Sequence, residues 1–64
     1  MSKFDYEVSR RVAAMDAPFY ALVMAAYRQA DTENARKIEA AWPDVVAELQ
    51  ARYHAPGGAL DGES

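Results

Sequence analysis

The stretch that most limits how this chain can fold is "FYALVMAAY", Phe19 to Tyr27, nine residues without a charged or amide side chain. As a helix it is apolar on every side, and a helix with no polar face has to be covered by the rest of the molecule. It is too short to cross a bilayer, which takes ~20 apolar residues. It also lacks the basic face of a helix that lies on a membrane. The run is therefore expected to be the central element of a small core.

Little chain is left to cover it. At 64 residues there is room for one domain, and folding at this size hides only about 60 % of the surface that the unfolded chain exposes. Chains this short usually supplement the core with disulfides, a metal or a partner. Cysteine is absent, which excludes the first. The hydrophobic share of 52 % is too high for a disordered chain. Much of it is alanine, which favours helix but fills little volume.

The flanking segments read as three further helices. In the first, Phe4, Tyr6 and Val8 alternate as in a strand, while Phe4, Val8, Val12 and Met15 recur at helical spacing. The longer pattern, with Ser2 as a cap and Asp5 three residues on, selects a helix over 3–15. Asp16 is expected to cap the second helix, over 17–29, with Pro18 in its first turn. Asp31 and Thr32 cap a third over 32–41, with Glu33 and Asn34 in its first turn. Pro43 disfavours helical geometry at Trp42, so the chain breaks there and a fourth helix runs over 43–54. Trp42, Val45, Val46, Leu49 and Tyr53 share its inner stripe, and Asp44, Glu48 and Arg52 lie outside at spacings of four. "APGG" stops it, and "ALDGES" follows as a disordered tail. The expectation is an all-α fold of four short helices in a compact mini-domain over 1–55, with a flexible tail over 56–64.

No catalytic constellation is present. The chain has one histidine, no thiol, and serines only at positions 2, 9 and 64, too few groups for a nucleophile, a base and an oxyanion donor. His54 is read as a residue whose charged form suits a helix C-terminus. Asp44 and Glu48 share a face, but no histidine or cysteine stands at ligand spacing, so no metal or cofactor is expected. The segment "MSKFDYEVSRR" has no apolar run of the signal-peptide kind, and a cytoplasmic protein without membrane association is expected.

Charge points away from nucleic acid. The net charge is -3, whereas phosphate binding needs clustered Lys and Arg. A helix-turn-helix reading fails because the fourth helix opens on Pro43 and Asp44 and carries Glu48, which phosphates repel. The distribution is uneven as well. Residues 1–30 hold four basic and three acidic side chains, and residues 31–64 hold three and seven. Such carboxylates commonly do no more than keep a surface soluble. Seven aromatic residues in so short a chain are mostly expected in the core, with a few as contact anchors.

From Phe19 onward, "FYALVMAAYRQADTENARKIEAAWPDVVAELQARYHAPGG" resembles a family of small proteins carried by bacteriophages and prophages. The likeness rests on the capped joint at Asp31, Thr32 and Asn34, on Trp42 before Pro43, and on Leu49, Arg52, Tyr53, Pro56 and Gly57 in the closing "LQARY-x-APGG". These positions are caps, joints and core, so the resemblance identifies a scaffold rather than a site. In size, charge and implied origin the chain is also similar in kind to anti-CRISPR proteins, several of which present carboxylates where DNA phosphates would sit.

The resemblance implies a stoichiometric inhibitor and not an enzyme. Its expected partner is a host nucleic-acid-handling complex, such as a CRISPR effector subunit. The partner-binding carboxylates expected from the charge pattern are Asp31, Glu33, Glu39, Asp44 and Glu48, held at regular spacing and able to occupy a basic groove. The rival expectation is a phage structural or adaptor protein that associates through apolar surface, with a homodimer as one form.

Overall fold

The first and third helices begin where a side chain accepts an orphan N–H of the first turn, and the fourth begins on a proline that has none to satisfy. The computed structural model describes residues 1–63; Ser64, the last position of the expected tail, lies outside the described residues. Ser2 Oγ accepts the Asp5 N–H at 3.1 Å and opens α1, Lys3–Ala14. Asp31 Oδ1 accepts the Asn34 N–H at 2.8 Å and opens α3, Thr32–Ala41. Pro43 is the first residue of α4, Pro43–Tyr53. Trp42 before it takes φ -135° and ψ 64°, so a single residue ends α3 and begins α4. The fold is all-α, and no strand occurs among the described residues.

The start of α2, Phe19–Gln29, differs from the sequence expectation. Asp16 is not its cap. Its backbone is left-handed, with φ 55°, and its N–H donates to Ala13 O at 3.2 Å, so it closes α1 instead. Aspartate tolerates this conformation better than most residues because its short polar side chain bonds locally. Pro18 occupies the N-cap position without a side-chain bond, and Ala17 before it is disfavoured as helix by the proline ring.

The centre of the molecule is α4, which corrects the expectation for the Phe19–Tyr27 run. α4 packs against both α2 and α3 and carries Val45, Val46 and Leu49, three of the four buried apolar residues among those described. The fourth, Val23, is all that α2 buries. One side of α2 meets α3 and α4, while Ala25 and Ala26 on the other side are exposed and Leu22 is half-buried. The run tolerates this because its alanines leave little apolar area uncovered. Trp42 is half-buried, edge-on to Phe19 with ring centroids 6.0 Å apart. Tyr53 leaves the inner stripe of α4 and stands exposed beside His54.

α1 stands apart. None of its Cα atoms comes within 8 Å of a Cα in another helix among the described residues, and none of its residues is buried. The chain accordingly extends 43 × 26 × 16 Å with a radius of gyration of 13.6 Å, against about 10.7 Å for a compact domain of this length.

The segment after α4, expected to trail freely, folds back over its described residues. Pro56–Gly58 forms a 3₁₀ turn with φ 62° at Gly57 and 72° at Gly58. The Arg52 guanidinium then donates to Gly58 O at 2.9 Å and to both carboxylate oxygens of Glu63, at 2.6 and 2.8 Å. Glu63 Oε1 also accepts the Leu60 N–H at 2.9 Å. A bidentate fork with a backbone bond is the stronger kind of charge pairing, and it ties the tail to α4.

Candidate functional site

The five carboxylates expected to form one acidic surface are spread over α3 and α4, and most already have work within the chain. Asp31 is the cap of α3. Glu33 lies 3.9 Å from Lys37 one turn on, with both side chains open to solvent. Glu39 turns toward α2 and accepts the Tyr27 hydroxyl at 2.7 Å; this bond pushes the Tyr27 phenol above its ordinary pKa. Glu48 accepts Arg52 Nε at 3.2 Å. At about 100° per residue, Glu33 and Glu39 point about 120° apart around α3. Asp44 and Glu48 are brought together, on the rim of a shallow hollow of about 220 Å³ that also touches Tyr20 and Met24.

A second surface is larger and is apolar. Phe4, Val8, Val12 and Met15 form the stripe that selected a helix for α1, but in the structure none of them is buried and only Val8 is half-covered. Phe4 is 69 % and Met15 76 % exposed; Tyr6, on the opposite face of α1, is exposed as well. Between this stripe and the uncovered back of α2 runs an open groove of about 510 Å³, with Val8 and Val12 on one wall and Leu22, Ala25 and Ala26 on the other. Packed helices have axes 8–10 Å apart; α1 and α2 do not interlock, and the groove is the space left between them.

The sequence pattern shows the stripe but not its exposure. Periodicity reports which residues share a face and is silent on whether another element reaches that face. Glu7 and Arg11 lie one turn apart along one edge of the stripe, and Asp5 and Ser9 along the other.

Among the described residues no group of three or more His, Cys, Asp or Glu is placed to hold a metal ion. No described helix is long and apolar enough to cross a membrane. No protein-family model, curated protein or solved structure matches this chain.

Proposed function

We propose that the protein is a non-catalytic association module that binds another protein chain through the apolar face of α1 and the adjoining back of α2. The observation that carries this reading is the exposure of Phe4 on α1 and of Met15 at its C-cap, on a helix that buries no residue and brings no Cα within 8 Å of another helix. An apolar helix face held open in water is costly at ~25 cal/mol for each Å² left uncovered. Apolar patches of this kind are where protein partners dock.

A second reading has one observation in its favour, the adjacency of Asp44 and Glu48 on the outer side of α4. In that reading the chain is a phage-derived, anti-CRISPR-like inhibitor whose carboxylates fill a basic groove on a host nucleic-acid-handling complex. It is the weaker of the two, because Asp31, Glu33, Glu39 and Glu48 would have to give up partners inside the chain before binding elsewhere.

One experiment separates them. A photo-reactive phenylalanine analogue is placed singly at positions 4, 15, 44 and 48, and each chain is irradiated in the cells that produce it. Protein cross-links at 4 and 15 with none at 44 and 48 are expected. The reverse pattern would sink the apolar reading in favour of the acidic one.

A further inference from the structure

We infer that the protein seated on this face is a second copy of the same chain, whose α1 lies antiparallel to the first across the Phe4–Met15 stripe and over the back of α2. The inference rests on the apolar reading above and names its partner.

The first argument is area. A compact chain of 7.1 kDa exposes about 4,100 Å². This one exposes 5463 Å². The excess of ~1,400 Å² is more than the ~800 Å² that each partner contributes to an interface of standard size. The excess belongs to the whole extended chain, and it leaves room for an interface of standard size beside a core that holds only four buried residues among those described.

The second argument is charge, and it also sets the direction. A two-fold axis that pairs the helices antiparallel puts the Glu7–Arg11 edge of one copy beside the same edge of the other with its order reversed. Each Glu7, which lies 3.8 Å from the exposed Lys3 ammonium of its own chain, then meets Arg11 of the second copy, twice over. Parallel pairing brings the Glu7–Arg11 edge against the Asp5–Ser9 edge instead, which sets Glu7 beside Asp5, like charge on like. In the antiparallel arrangement the Phe4 end of one stripe covers the Met15 end of the other. The small residues Ala25 and Ala26 let the incoming helix approach the back of α2 closely.

The purified full-length chain in sedimentation equilibrium tests this. The expected result is a concentration-dependent mass reaching twice 7.1 kDa. Glu7→Arg and Arg11→Glu, each alone, are expected to weaken self-association roughly tenfold, as two ion pairs become two repulsions. Mixing the two variants restores association as a heterodimer, because Arg at position 7 then meets Glu at position 11. Restoration also shows that both variants fold.

A parent chain that stays monomeric throughout would overturn the inference. A dimer indifferent to both charge reversals, or one that the mixture does not restore, would overturn it as well. The apolar reading fails separately, when positions 4 and 15 cross-link to no protein at all. Cross-links from those positions to a different protein, with a monomeric purified chain, would leave the reading standing and remove the second copy.

Discussion

α1 and α4 are close in length, at 12 and 11 residues, and each begins with a clear start signal and carries an apolar stripe. Their fates differ completely: α4 buries Val45, Val46 and Leu49, and α1 buries nothing. The joints account for part of the difference. One residue, Trp42, separates α4 from α3 and forces the two to stay adjacent. Four residues separate α1 from α2, with the left-handed Asp16 and then Pro18 among them, and the helices on either side do not meet. A stripe is a capacity to bury area; whether it is used depends on what the connection brings near it.

Removing a side chain from the α4 stripe gives the largest expected effect. Leu49 is 7 % exposed, and Leu49→Ala in such a position costs about 2–5 kcal/mol. A single core of this size supplies only ~3–5 kcal/mol. The expected outcome is loss of the cooperative thermal transition followed by circular dichroism at 222 nm. Retention of a parental transition would show that α4 is not the centre of the stability, and the contrast with α1 would lose its basis.

The caps sharpen the same contrast, because α1 and α3 open with the same device at similar length. Asp31→Ala removes the bond to the Asn34 N–H and is expected to lower the stability of the α2–α4 unit by about 1 kcal/mol. Ser2→Ala removes the equivalent bond to the Asp5 N–H. With self-association blocked by Phe4→Asp and Met15→Asp, its effect should stay within α1. Faster amide exchange at residues 3–6 and an unchanged urea midpoint are the expected results. An equal shift of the midpoint by both cap variants would mean that α1 belongs to the same cooperative unit.

Much of the local structure is legible in the sequence, and the reason is that caps and prolines act over three or four residues. Ser2, Asp31 and Pro43 mark three helix starts within one residue. Asp16 misleads because the same residue type serves as an N-cap and as a left-handed closing residue, and only backbone geometry distinguishes the two. The central run misleads for a different reason. "FYALVMAAY" is apolar all round, but Ala21, Ala25 and Ala26 make one side of it cheap to leave open. The candidate surface needed information that no local pattern contains, namely that nothing in the chain buries the α1 stripe. Arg52 is a smaller instance. Its neighbour Glu48 is evident from the spacing of four, whereas Glu63, eleven residues on, depends on how Gly57 and Gly58 turn the chain.

That last contact is the smallest of the expected effects, and it compares the tail with the helix to which it is tied. The Arg52 fork and then the Leu60 N–H hold the Glu63 carboxyl down to about 2, from an ordinary 4.5. A carboxyl depressed on folding contributes stability that is fully present above its unfolded value and is lost as pH falls through the folded one. The tether should therefore hold at neutral pH, weaken below about pH 4.5, and release near pH 2. The Arg52 guanidinium is pushed the other way, upward, by Glu63 and Glu48, so it stays charged across this range. Carboxyl carbon shifts followed by NMR should give a midpoint for Glu63 well below that of an ordinary glutamate. Glu63→Gln should abolish that titration and free residues 59–63 at every pH. Because the ion pair is solvent-facing, the helical signal of α4 should not follow the Glu63 titration. Loss of that signal together with the tether would show that the tail braces α4, and the buried stripe of Val45, Val46 and Leu49 would then not hold the helix in place by itself.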